Sequence, residues 1–373
     1  MRLTGEATHF ADLRSLCEYI FKRSRAQPIT FVIDEFQNLK TVAPSVFGDL
    51  QEFWDRYAGQ TKLFLVAAGT NVNTMRAITE SLLAPLYGRP SAFIRLQPLP
   101  VRTLHQILED FSGGTATADD YLALWLMTGG TAGYVERFMD AGCVTKERMV
   151  EFATASSSFF LLEGERLLKS AYDRWDSICL GILEKVAKGV TDRAELMALF
   201  DKDLSTQLKQ LEETSLLTKE KPFGSSLQKE VDYRLVITDP FLQFWLRYLF
   251  AYQSLLEMSP DGPKRLAQAI VNDFPKYTDQ LVLTQYFRRE LMETGTVSAC
   301  APWWNHNDGD DIDLVAYQPF DKRLIFVDVK REARQINLQR LKAKSLAFLA
   351  ANPSYAKCEI VYEGRSLERI KAS

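Results

Sequence analysis

Two stretches of this 373-residue chain carry residue types and spacings suited to phosphate chemistry. The first is FVIDE (31–35), an apolar strand-type run ending in Asp34 and Glu35. A strand end fixes two carboxylates at the rim of a pocket, where one can lie beside Mg²⁺ and the next can polarise an attacking water. Apolar strands also end in solvated acids without any catalytic role, so the pattern alone leaves both readings open. The second stretch places Asp313 in DIDLVAY and Asp328-Val329-Lys330 at the end of LIFVDVK. Two carboxylates on adjacent strands can hold a divalent ion that polarises phosphate and lowers the pKa of a bound water. A lysine two residues after Asp328 shares its sheet face and can stabilise developing charge. The plain alternative makes Asp328 and Lys330 an exposed edge pair and Asp313 a turn residue.

Composition narrows the competing chemistries. The five cysteines (17, 143, 179, 300 and 358) form no CxxC pair, so neither a zinc ribbon nor a disulfide framework is indicated. His9, His105 and His306 have no partner at metal-ligand spacing, which argues against a histidine zinc site or a Ser-His-Asp triad. With 46% hydrophobic and 25% charged residues and a net charge of −3, the chain reads as an ordinary globular protein of two to three domains. FLQFWLRYLFAYQSLL (241–256) is interrupted by Arg247 and too short to span a bilayer, so it reads as a buried aromatic helix. No signal-type segment opens the sequence, and a cytoplasmic location without membrane attachment is expected.

The elements that must position the acids follow from periodicity. Apolar spacing predicts a helix over 8–27, buried strands at 29–34 and 63–69 around a helix at 45–58, and a third strand at 92–99. Residues 100–172 read as helical, with glycine pairs at 113–114 and 129–130 as breaks. Helices over 176–200 and 204–217, then a β-like stretch at 231–238, follow the order of a winged helix-turn-helix. SPDGP (259–263) reads as a linker. Beyond it come a helix near 279–294, strands at 312–317 and 323–329, a helix at 336–350 and a strand at 357–362.

Ordered segments then suggest a lineage. DEFQNLK (34–40), LQEFWDRY (50–57), AAGTNVNTM (67–75), APLYGRPS (84–91), TGGTAGYVERF (128–138) and YRLVITDPFLQFW (233–245) together resemble the archaeal-type AAA-like P-loop ATPases. DIDLVAYQPFDKRLIFVDVKREARQIN (311–337) resembles that family's C-terminal domain, of the PD-(D/E)xK nuclease type. The resemblance implies an α/β chain in four parts. These are a partial P-loop ATPase core over 1–100 and a helical lid over 101–172, then a winged helix over 173–258 and a restriction-endonuclease-like domain over 264–373. It implies ATP and Mg²⁺ as cofactors, with Asp34 as the Mg²⁺-associated acid, Glu35 as the water-activating acid, and Thr70 and Asn71 as the γ-phosphate sensor. Arg89 matches an arginine acting on nucleotide, or else holds its loop by a salt bridge. At the nuclease-like site it implies Asp313, Asp328 and Glu290 as metal ligands and Lys330 as catalytic, with Gln339 a weaker candidate.

One departure cuts across this. A phosphate loop needs GxxxxGK[ST], and no Gly-Lys dipeptide occurs. The sequence starts just upstream of the helix that should follow the family's second strand, so it reads as a truncated frame or a degraded paralogue. No ATP turnover is expected, and neighbouring strands should expose apolar faces. Charge is uneven too: residues 320–373 hold twelve Lys or Arg against six Asp or Glu, whereas 170–234 hold ten against twelve. The expected partners are therefore DNA through 320–373 and a protein through the winged helix. The leading reading is an ATPase-family protein coupled to a nuclease-like domain. The alternatives are a non-catalytic regulatory or DNA-interaction protein and a metal-dependent DNA nuclease independent of nucleotide.

Overall fold

The computed structural model describes residues 9–171, 177–225, 233–305 and 311–372. Two compact units meet in sequence between Leu96 and Gln97. The first unit is built on two parallel strands, β1 (Ile29–Ile33) and β2 (Leu63–Ala67), paired from Ile29↔Leu63 to Ile33↔Ala67. Around them lie α1 (Leu13–Arg23), α2 (Leu39–Val42), α3 (Val46–Tyr57) and α4 (Val72–Thr79). Asp12 caps α1 by accepting from Ser15 N at 2.7 Å. The i, i+1, i+4, i+7 spacing of Val46, Phe47, Leu50 and Phe53 turns one face of α3 onto Cys17 and Phe21 of α1. One face of the strand pair joins this core through Phe31, Ile33, Leu63 and Leu65. The other face leaves Val32 and Phe64 more than half exposed, so neither strand is the fully buried one that its apolar run predicts.

The strand expected at 92–99 does not form. Phe93, Ile94 and Leu96 are exposed, and β1 and β2 pair only with each other among the described residues. An apolar run becomes a strand only where a neighbour accepts its backbone hydrogen bonds.

The second unit is mainly helical as far as residue 293. It opens with α5 (Val101–Ser112), α6 (Ala118–Thr128), α7 (Ala132–Asp140), α8 (Lys146–Thr154) and α9 (Phe159–Ala171). α6 is its axle: Tyr121 to Thr128 are all buried, and a Thr117–Asp120 capping box starts the helix. There follow α10 (Ser177–Ala187), α11 (Arg193–Phe200), α12 (Ser205–Glu213) and an antiparallel hairpin of β3 (Leu217–Glu220) and β4 (Arg234–Ile237). Asp239 then caps α13 (Pro240–Phe244), whose first position takes proline well because no N–H is needed there. A π-helical turn (Trp245–Phe250) and α14 (Gln253–Met258) complete the aromatic segment. It is buried, and Arg247 is accommodated by an ion pair to Asp273 at 3.0 Å and by the Tyr277 ring 4.4 Å away. SPDGP, expected as a linker, is instead a turn whose Gly262 starts α15 (Gly262–Tyr277). A second π-helical turn (Thr278–Val282) leads into α16 (Leu283–Glu293). Among the described residues no helix is long and apolar enough to cross a membrane.

The C-terminal sheet runs β5 (Ala299–Trp303), β6 (Ile312–Gln318), β7 (Arg323–Lys330), β8 (Glu359–Ser366) in spatial order. The first two pairings are antiparallel and the last is parallel. Parallel pairing demands a crossover, supplied by α17 (Leu338–Ala351). Strand alternation sorts the side chains by face. Leu314, Ala316, Ile325, Val327 and Val329 join the helical core that includes Tyr286, Phe287 and Leu291 of α16. Val315, Leu324 and Phe326 join Leu341 and Phe348 of α17 on the other face. The last helix, α18 (Leu367–Ala372), buries Ile370 in the helical core and packs on α6.

Candidate functional site

Asp313, Asp328 and Lys330 meet on the α17 face of the sheet, as the period of two requires. The Lys330 Nζ lies 2.7 Å from Asp313 Oδ2 and 2.8 Å from Asp328 Oδ1. Two backbone donors fix the acids: Val329 N–H to Asp313 Oδ2 at 2.7 Å, and Asn337 N–H to Asp328 Oδ2 at 2.8 Å. Burial pushes the Asp313 carboxyl above its usual range, against the pull of the Lys330 ammonium. Burial acts on Asp328 too, but hydrogen bonds from Lys330 and the Asn337 N–H hold it below the usual range. Lys330 loses hydration, yet the two carboxylates keep it firmly charged.

These groups open into a cavity of about 220 Å³. Asp311, Ile312 and Asp313 of β6 and its approach line one side, with Asp328 and Lys330 below them. Gln335, Asn337, Arg340, Leu341 and Lys344 line the other. Gly364 makes this possible. It pairs with Asp328 on the same face, and a Cβ there would lie 2.5 and 2.9 Å from Ile336 Cγ2 and Cδ1. The missing side chain lets the 331–337 segment pass close over the sheet and deliver the Asn337 N–H.

Glu290 does not join the acids. It lies on α16, on the opposite face of the sheet, where it pairs with Arg365. Arg365 stands opposite Val329 in register and so shares that far face, as its bond to Glu363 Oε2 at 3.1 Å also indicates. A carboxylate committed to a cation across the sheet cannot complete a ligand set with Asp313. Gln339 is exposed and outside the cavity. The residues missed from sequence are Arg340 and Lys344, one helical turn apart, and Asp311, whose carboxylate pairs with Arg234 of β4 at 2.8 Å. Arg234 also lies over the Trp304 ring at 4.3 Å.

Among the described residues no group of three or more His, Cys, Asp or Glu gathers to hold a metal. Two carboxylates nonetheless suit Mg²⁺, which keeps several waters and takes its remaining oxygens from a phosphate. They do not suit a closed zinc or calcium cage.

In the first unit, the ends of β1 and β2 do bring Glu35 and Thr70 together. Glu35 takes a left-handed conformation (φ 49°), Thr70 Oγ1 donates to its Oε2 at 3.2 Å, and Gln37 Nε2 also reaches that oxygen. Asp34 is exposed and accepts from Glu35 N–H at 2.9 Å. Asn71 caps α4 through Thr74 N–H at 2.9 Å. Arg89 is spent on its loop, with a two-point bond to Asp55 at 2.9 and 2.7 Å and a third bond to the Pro85 carbonyl at 2.8 Å. Of the two roles open to it, the salt bridge is the one observed. Among the described residues no lysine or arginine pairs with Asp34, Glu35, Thr70 or Asn71, so these groups alone do not fit a triphosphate.

Residues 245–344 match the family model DUF234, archaeal and bacterial proteins of unknown function. That segment contains Asp313, Asp328, Lys330, Arg340 and Lys344. Over 309 residues the chain is 25% identical to MJECL04, an uncharacterised protein of Methanocaldococcus jannaschii, a match taking in 80% of this chain and 66% of that relative, just under two thirds of its length. Among solved structures it is similar to the Walker-type ATPase PABY2304 of Pyrococcus abyssi, at 17% identity and a TM-score of 0.44, over 63% of this chain and 68% of that one. So distant a likeness carries no argument about individual residues.

Proposed function

We propose that this chain is an ATPase-like protein whose chemical centre is a PD-(D/E)xK nuclease-like site acting on DNA phosphodiesters. The observation that carries this reading is the convergence of Asp313, Asp328 and Lys330 on one sheet face at the base of a cavity. Asp313 and Asp328 are the residues that would hold Mg²⁺, which when bound lowers the pKa of a water and polarises a phosphate. The Val329 and Asn337 N–H groups hold the acids in place beside the ammonium. Lys330 carries the charge that a phosphorane-like state needs nearby.

Around this centre, the α10–α12 helices and the β3–β4 hairpin follow a winged-helix order suited to protein contact. On α12, Lys209 lies 3.8 Å from Glu213, and Glu212 pairs with Lys219 at 2.7 Å, leaving little free positive charge for a phosphate backbone. Glu35 with Thr70 retains the acid–hydroxyl contact of a nucleotide-responsive strand end, without a triphosphate cradle of its own.

The test is incubation of the full chain and DNA with Mg²⁺ or Mn²⁺, beside Asp328→Ala and Lys330→Ala. Each substitution should slow cleavage by about a hundredfold or more. Cleavage unchanged in both variants, or absent from the wild type, rejects the catalytic reading. A second reading, DNA binding without cleavage, is favoured by the Lys330 ammonium already spanning both carboxylates.

A further inference from the structure

The cavity lining carries three carboxylates, Asp311, Asp313 and Asp328, and three cations, Lys330, Arg340 and Lys344. Asp313 and Asp328 share Lys330, and Asp311 is neutralised by Arg234. Among the described residues, that leaves Arg340, whose guanidinium has no partner, and Lys344, which donates to the Asp311 backbone carbonyl but meets no carboxylate. Both project from α17 into the cavity, four residues apart, so their side chains leave the helix about 5–6 Å from one another. Two cations without a carboxylate partner among the described residues, beside a two-carboxylate centre, have an evident use if the ligand is a chain of phosphates rather than one phosphate.

We infer that Arg340 and Lys344 clamp the phosphate adjoining the one presented to Asp313, Asp328 and Lys330, so that the site takes a nucleic-acid strand and sets its register. This rests on the proposed phosphodiester reading and adds positioning residues to it. Arg340 and Lys344 are not required for the chemistry of the acids; they fix which phosphate reaches them.

The experiment is equilibrium binding of the full chain to a fluorescein-labelled oligothymidylate in EDTA, titrated with salt. Arg340→Gln and Lys344→Gln should each weaken binding about tenfold at low salt. Each should flatten the log K against log salt slope by about 0.7, the share of one phosphate contact on a single strand. Lys357→Gln removes an exposed cation of the same module outside the cavity and should leave the slope unchanged. Slopes equal to wild type in both cavity variants overturn the clamp, as does an equal loss in Lys357→Gln or no strand binding by the wild type. Metal-dependent cleavage lost in Asp328→Ala but accompanied by unaltered slopes would remove the clamp and leave the proposed chemistry standing.

Discussion

Replacing Arg365 by methionine separates a structural role for Glu290 from a ligand role. Arg365 is only 7% exposed, with Glu290 and Glu363 at its guanidinium and the Phe287 ring 5.8 Å away. Removing one partner of a buried pair costs about 3–5 kcal/mol, because the other charge is left without compensation. Two features favour the lower end. Burial already raises the Glu290 carboxyl, so it can shed its charge by protonation, and Glu363 keeps Arg369 at 4.0 Å. A loss of about 3 kcal/mol, at about 2–4 °C per kcal/mol for a unit of this size, lowers Tm by about 6–12 °C. Glu290→Met in the Arg365→Met background should recover most of that loss, since a buried pair replaced by apolar groups of similar volume is near neutral. Scanning calorimetry at neutral pH reads the stability, and DNA cleavage per folded molecule reads the site. The reasoning fails if the double variant is as unstable as Arg365→Met alone. It fails equally if Glu290→Gln leaves Tm in place while abolishing metal-dependent cleavage, which would put Glu290 among the ligands.

Two further outcomes follow from geometry and burial. Gly364→Ala drives a methyl into Ile336 and should cost about 1–3 kcal/mol, with Ile336→Ala restoring most of it; a melt unchanged by Gly364→Ala alone would contradict the close approach. His105 is hydrogen-bonded to the Tyr286 hydroxyl and packed at a tilt against the Tyr121 ring, 4.5 Å between centroids, and burial lowers its pKa from 6.5 to about 4. The unfolded chain thus binds the extra proton first, so this contribution is complete above pH 6.5 and is lost as pH falls towards about 4. Its size is at most about 3 kcal/mol, reduced by solvent screening of a ring that is not fully enclosed. Stability profiles of wild type and His105→Asn should diverge across that window, and parallel profiles would refute the assignment.

Much of the site was legible because strand alternation is local. Once 312–317 and 323–329 read as strands, Asp328 and Lys330 had to share a face, and the antiparallel neighbour brought Asp313 beside them. Glu290 was misplaced because nothing local says which face of a sheet a preceding helix will cover. Gln339 lies outside the cavity because α17 turns Arg340 and Lys344 to its lining, a rotation set by Leu341 and Phe348 entering the core. β5 has no clear strand pattern in sequence because Pro302 interrupts it, which an edge strand with a bulge tolerates. The apolar stretch 92–99 is not a strand because no strand among the described residues pairs with it. Arg89 was ambiguous until Asp55, 34 residues away in sequence, was seen to hold it.

The central claim, that Asp313, Asp328 and Lys330 form a phosphodiester site, is tested most directly by one rate comparison. The Mg²⁺-dependent cleavage rate of a labelled DNA strand should fall by about a hundredfold or more in Asp328→Asn, a substitution of nearly equal shape, compared per folded molecule. A rate equal to wild type in that variant would contradict the account.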